Sequence, residues 1–181
     1  MNKKLRLMVT ENCPNHCPMC CNKQFKVEDI PVVDRWDYDE IMITGGEPML
    51  YPGHVKELCK SIRTVTKQMG INPKIYIYTS RCEFEFIEDA IRNYADGLVV
   101  TPYTANDIKF FRQLNNNLLK YRYGKFLECS LRLNVFPEVK DALPENLKCW
   151  QVKEMQWIEN CPVPEGEDFR RVAEFFTDNI W

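Results

Sequence analysis

No apolar run in the 181-residue chain approaches the ~18 residues of a membrane-spanning helix, so no span is expected. Neither sign of charge dominates. The chain has 24 Lys and Arg against 26 Asp and Glu, a formal net charge of −2. Proteins that live on a phosphate backbone carry a basic surplus, so a nucleic-acid polymer is not the expected partner. The basic start Met1-Asn2-Lys3-Lys4 leads into no apolar stretch of signal-peptide length, and the expected localisation is cytoplasmic. Repeats, low-complexity tracts and a linker are also missing, which makes residues 1–181 one expected domain. No second Cys-x-x-Cys pair occurs, so neither an auxiliary cluster nor a paired-ligand zinc site is expected.

Cysteine, by contrast, is plentiful, with nine residues. The count is odd and no export signal precedes them, which speaks against a secreted disulfide framework. In a reducing compartment, cysteines serve as metal ligands, catalytic groups or core residues. Four of them fall in the stretch ENCPNHCPMCCNK, at Cys13, Cys17, Cys20 and Cys21.

Hydrophobic patterning alternates strand and helix. Strands are expected over 5–9, 40–44, 74–79, 97–101 and 126–135, and a sixth over 155–158. Val55, Leu58, Cys59, Ile62, Val65 and Met69 share one helical face. A second helix carries Phe86, Ile87, Ala90, Ile91 and Tyr94. A third, capped by Asn106, carries Ile108, Phe111, Leu114 and Leu118 and stops near Gly124; residues 169–176 read as a closing helix. Such alternation predicts a parallel sheet with right-handed crossovers. An eight-stranded barrel takes ~250 residues. The fold class expected is therefore α/β, a partial, open parallel β/α barrel of five to six βα units. Its core lies near residues 5–135, and 137–181 pack on it or close it. The segment 21–39 shows little helical periodicity, so the first crossover helix is expected to be short or absent.

Ligands of parallel sheets collect at the carboxyl ends of the strands. Two motifs lie there. Cys13-x3-Cys17-x2-Cys20 follows the first strand in a loop stiffened by Pro14 and Pro18. Thiolates ligate iron–sulfur clusters and zinc. Three ligands on a four-iron cluster leave one iron open; zinc would need a fourth ligand, and His16 is tightly placed between two others. The spacing alone leaves both open. Thr44-Gly45-Gly46-Glu47-Pro48 follows the second strand. Its two glycines would let a ligand approach the backbone, and its carboxylate would suit an ammonium group.

Together, Cys13-Pro14-Asn15-His16-Cys17-Pro18-Met19-Cys20 and Gly45-Gly46-Glu47-Pro48 resemble the radical S-adenosylmethionine (radical SAM) superfamily, with the βα order agreeing across roughly residues 5–135. The resemblance implies an enzyme. Cys13, Cys17 and Cys20 would hold a 4Fe-4S cluster, and Gly45, Gly46, Glu47 and Pro48 would border S-adenosyl-L-methionine (SAM). The reduced cluster would cleave SAM to methionine and a 5′-deoxyadenosyl radical that abstracts a substrate hydrogen. Flavodoxin or ferredoxin would be the electron donor. The substrate would be a small molecule, a nucleoside or a partner protein; the cysteine loop and the chain length also resemble small activases of anaerobic ribonucleotide reductase.

Met19 stands where the family usually has an aromatic residue, and a thioether can still pack on a ring. Thr79 and Ser80 end the third strand as possible SAM contacts, and Thr101 and Tyr103 end the fourth. Arg132 and Asn134 alternate with leucines on the fifth strand, where SAM's carboxylate would satisfy Arg132. Cys59 is expected in the core and His54 at a helix start. Cys82, Cys129, Cys149 and Cys161 lack ligand spacing. The open side near 22–38 and the aromatic-rich 137–165, with Trp150, Trp157 and Trp181 in the tail, is expected to be covered by substrate or a partner. A zinc-stabilised binding module without catalysis is the alternative of another class.

Overall fold

A computed structural model describes residues 3–121, 128–159 and 162–177. Among the described residues, seven strands form one all-parallel open sheet: β1 (Lys4–Met8), β2 (Glu40–Thr44), β3 (Lys74–Thr79), β4 (Gly97–Val100), β5 (Ser130–Val135), β6 (Gln151–Glu154) and β7 (Glu167–Arg171). Their order is β6-β5-β4-β3-β2-β1-β7. Helices α1 (Pro52–Gln68), α2 (Phe84–Asn93) and α3 (Ala105–Tyr121) join β2 to β3, β3 to β4 and β4 to β5. This is a partial parallel β/α barrel.

Register explains the core. Leu5 pairs with Ile41, Ile41 with Ile75, Ile77 with Leu98 and Leu98 with Leu131, so these side chains share one face. They are buried with Val55, Cys59 and Ile62 of α1, Ile87 and Ile91 of α2, and Phe111 and Leu114 of α3 in a single cluster. Each fully buried aliphatic residue of this kind contributes ~1.5–3 kcal/mol. The intervening positions Arg6, Met42, Tyr76 and Arg132 line the opposite face.

No helix joins β1 to β2. Two short 3-10 turns, Cys21–Lys23 and Val27–Asp29, stand in its place, as the weak periodicity there predicts. The C-terminal expectations need correction. Residues 169–176 do not form a closing helix. Glu167–Arg171 is β7, which pairs in parallel with β1. The helical spacing of Phe169, Val172 and Phe176 misleads because the edge of β1 offers a longer-range alternative. Val172 N–H donates to Met8 O and Phe176 N–H to Val9 O. The sixth strand lies at Gln151–Glu154, ahead of 155–158; all four of its residues are exposed, so no hydrophobic alternation marks them. The fifth strand starts at Ser130. Gly124, Phe126, Cys161 and Trp181 lie outside the described residues.

The cap of α3 is Thr104 rather than Asn106. Thr104 Oγ1 accepts from Asp107 N–H at 3.1 Å, and the Asp107 carboxylate accepts from the Tyr103 and Thr104 amides at 2.9 Å. That is a reciprocal capping arrangement. Part of the flank near 22–38 is tied to the sheet, while Val32 remains exposed. Val33 N–H donates to Arg171 O at 2.9 Å, and Arg171 N–H to Pro31 O at 3.0 Å, so this segment lies along β7. Tyr38 and Ile30 are buried beneath it.

Candidate functional site

The chain leaves β1 at Met8 and enters the cysteine loop through residues 9–12. That exit is tied to the turn after β2. Gly46 N–H donates to Thr10 O at 2.6 Å, and Glu47 N–H to Asn12 O at 2.7 Å. The glycines owe their identity to this contact. Gly45 has φ +123°, and a Cβ there would lie 2.5 Å from Thr10 O. A Cβ on Gly46 would strike the carbonyl of Asn12. Sequence reasoning assigned the open space of both glycines to a ligand. The structure fills it with the protein's own backbone, one residue before Cys13. The two motifs therefore meet, but through chain-to-chain packing.

Glu47 shows a second departure. Its side chain is 2% exposed and turned inward. Oε1 accepts from Thr79 Oγ1 at 2.5 Å and from Met49 N–H at 3.0 Å. Oε2 accepts from Ser80 N–H and Ser80 Oγ, each at 2.8 Å. Burial pushes the Glu47 carboxyl above the usual range, with these four hydrogen bonds working against it. The carboxylate is thus occupied by protein donors, and so are the Thr79 and Ser80 hydroxyls expected to touch SAM. Pro48 opens the buried turn Pro48–Leu50 and fixes the chain behind the carboxylate.

Ser80 Oγ has one further partner, Asn15 Nδ2 at 2.8 Å. Asn15 lies between Cys13 and Cys17. Asn12 Nδ2 also donates to Tyr51 OH, at 2.6 Å. Neither asparagine was singled out by sequence reasoning. The available signal was a pair of amide side chains among the prolines and cysteines of an irregular loop.

Cys13, Cys17 and Cys20 are free, half-buried thiols. Burial foremost, then the neighbouring Cys20 and Cys13, pushes Cys17 up to about 11. Cys13 is also raised, by burial, with Glu47 and Cys20 adding to it. All three belong to the one loop between β1 and the 3-10 turn Cys21–Lys23. Among the described residues, no three His, Cys, Asp or Glu side chains are gathered as they would be around a single metal ion. Three thiols on one loop suit the donor chemistry of an iron–sulfur cluster and of zinc alike.

A cavity of about 330 Å³ opens beside Cys17. Pro14, Pro18, Tyr103, Phe136 and Trp157 are among the residues of its wall. Phe136 and Trp157 stack with centroids 3.9 Å apart, and Tyr103 lies 5.6 Å from Phe136. Trp157 Nε1–H donates to Glu138 Oε1 at 2.8 Å, which fixes its ring over the opening. Tyr103 comes from the end of β4 and Phe136 from the end of β5, the strand ends expected to form the mouth.

The remaining expected contacts lie elsewhere. Arg132 reaches away from the mouth, its guanidinium 4.3 Å from the Tyr76 ring centroid and 4.0 Å from a Glu40 oxygen. Glu40 begins β2, so Arg132 addresses the amino ends of the strands and is not placed for SAM's carboxylate. Asn134 Nδ2 donates to Thr101 Oγ1 at 3.2 Å and links two strand ends. Met19 is 36% exposed. Cys59, Cys82, Cys129 and Cys149 are buried in the interior. His54 sits in the first turn of α1 and packs on Phe176, with centroids 5.2 Å apart.

No protein-family model matches the chain, and no curated protein matches it in sequence. Fold and site define an α/β protein with an open parallel sheet and a cysteine loop at its carboxyl edge. No helix among the described residues is long and apolar enough to cross a membrane.

Proposed function

We propose that the protein is a radical SAM enzyme, with Cys13, Cys17 and Cys20 as ligands of a 4Fe-4S cluster. The observation that carries this is the direct contact between the cysteine loop and the glycine motif, Gly46 N–H to Thr10 O and Glu47 N–H to Asn12 O, at the carboxyl ends of β1 and β2. Two motifs about 25 residues apart in the chain thereby become one wall of one mouth. Held by Cys13, Cys17 and Cys20, a 4Fe-4S cluster would supply one-electron reduction of bound SAM, with a flavodoxin or ferredoxin as the electron donor.

The chain's own residues have more modest tasks. The loop presents three thiols from one side. The turn at Gly45 and Gly46 packs against residues 10 and 12 and so fixes where the loop begins, while the Glu47 carboxylate is occupied within the protein. Tyr103, Phe136 and Trp157 exclude water from the cavity beside Cys17, and the substrate hydrogen would be reached there.

The test is anaerobic reconstitution with iron and sulfide, then reduction with SAM. Brown protein with about four irons per chain that releases 5′-deoxyadenosine supports the proposal. Colourless protein holding one zinc and releasing no 5′-deoxyadenosine rejects it.

A further inference from the structure

Asn15, in the cysteine loop, reaches with its side chain across to the end of β3. Its Nδ2 donates to Ser80 Oγ at 2.8 Å, and that same Oγ donates to Glu47 Oε2 at 2.8 Å. A serine hydroxyl has one proton and two lone pairs. Its proton goes to the carboxylate, so the oxygen is left as an acceptor and only a donor can occupy the Asn15 position. Glu47 in turn is held by Thr79 Oγ1 and by the Met49 and Ser80 amides. The chain Asn15–Ser80–Glu47 joins the cysteine loop, the end of β3 and the turn after β2. Hydrogen bonds to a buried carboxylate are the strong kind, and linked ones polarise each other.

We propose that Asn15 is a positioning residue: through Ser80 it pins the cysteine loop to the buried Glu47 carboxylate, so that Cys13, Cys17 and Cys20 are held in place before any cluster binds. This rests on the reading of those thiols as cluster ligands, but its first readout does not. Backbone contacts tie the loop's entry, at residues 10 and 12, to the turn after β2, and a local bond from Lys23 N–H to Cys20 O turns its exit. Asn15 fixes the middle. Losing that tie leaves the loop free to open locally while the core is unchanged.

The experiment measures alkylation of Cys13, Cys17 and Cys20 in the metal-free full chain under reducing conditions, read peptide by peptide by mass spectrometry. Iodoacetamide is the probe. Asn15→Ala should speed labelling by a fewfold to about tenfold, the range one net hydrogen bond gives a local opening equilibrium. The thermal midpoint should stay near wild type. Asn15→Asp is the sharper variant. It has the same shape but sets an acceptor against an oxygen whose proton is already donated; because its charge would itself disfavour the thiolates, it is read by amide hydrogen exchange of residues 13–20, which should be at least as fast as in Asn15→Ala. Ser80→Ala should label as fast as Asn15→Ala but with a lowered thermal midpoint, because it also takes a donor from the buried Glu47 carboxylate, whereas Ser80→Thr keeps the hydroxyl and should label near wild type. Labelling of Asn15→Ala within twofold of wild type overturns the proposal, as does wild-type behaviour of Asn15→Asp beside a fast Asn15→Ala. A fall in the thermal midpoint of Asn15→Ala that accounts for its labelling rate also overturns it, because Asn15 would then be a general brace. Iron loading is measured alongside. Wild-type protein that takes up no iron rejects the cluster reading and leaves the labelling result to decide the positioning role.

Discussion

Ser80 gives both its backbone N–H and its hydroxyl to one oxygen of Glu47, each at 2.8 Å. The carboxylate of the Gly-Gly-Glu-Pro stretch is therefore an internal tie between the ends of β2 and β3. Changes to it should be felt in the stability of the fold as well as in the site.

Removing the Glu47 carboxylate leaves two amides and two hydroxyls without their acceptor in a buried place. Glu47→Ala should cost about 3–5 kcal/mol of unfolding free energy. Glu47→Gln keeps the shape but turns an amide NH2 toward donors, and should cost about 1–3 kcal/mol. Urea denaturation followed by tryptophan fluorescence measures both. Equal stability of Glu47→Ala and wild type would contradict the inward-facing carboxylate.

Gly46→Ala sets a methyl group against the Asn12 carbonyl, which is backbone and cannot swing aside. A loss of about 1–3 kcal/mol is expected from such overpacking. Displacement of the cysteine loop should come with it and reduce iron uptake. Gly53→Ala is the control. A Cβ at Gly53 would meet no atom within 4 Å. This glycine sits in the first turn of α1, so the change should be neutral or slightly stabilising.

Cys17→Ala should abolish iron binding and 5′-deoxyadenosine release while preserving the fold, because the thiol is half-buried in a loop. Cys59→Ala should do the opposite. Cys59 is in the core, its thiol pushed up to about 12 by burial. Its loss should cost about 1 kcal/mol of stability and leave iron content unchanged. Iron uptake by Cys17→Ala equal to wild type would remove the ligand assignment.

Asp168 of β7 accepts from Tyr38 OH at 2.5 Å and from Arg170 Nε at 2.9 Å. Burial works to raise its carboxyl, but those bonds and the guanidinium charges of Arg170 and Arg35 outweigh it and hold it below its ordinary value of 3.8. On acidification the unfolded chain takes up this proton first. The stability contributed by Asp168 is present in full above the unfolded value and is lost as pH falls through the lower, folded value. Asp168→Asn should therefore flatten the fall of the thermal midpoint below about pH 4. A slope identical to wild type would mean that the Tyr38–Asp168 contact carries no linkage.

Local signals made β1 to β4 and their helices legible. A central strand such as Ile75-Tyr76-Ile77-Tyr78 announces itself through β-branched and aromatic residues that are buried on both faces. The edges were not legible. Gln151–Glu154 is exposed throughout, and Glu167–Arg171 is mostly charged, so neither shows the pattern that marks a buried strand. Both became strands because β5 and β1 presented unpaired edges. The Arg6–Glu167 ion pair, with Nη2 to Oε2 at 2.7 Å, joins residues 161 positions apart.

By itself, the sequence determined a parallel α/β architecture, a missing first crossover helix, and a cysteine loop and a glycine turn at the same sheet edge. Those features follow from spacing and periodicity along the chain. Only the tertiary structure decided what the side chains at that edge are bound to. Glu47, Thr79 and Ser80 satisfy each other because a carboxylate buried between two strand ends must be hydrogen-bonded there. Arg132 turns to Tyr76 and Glu40, since its β5 position faces the amino-terminal half of the neighbouring strands. Gly45 and Gly46 are glycines because residues 10 and 12 pass directly over them, a contact between segments that no local pattern encodes.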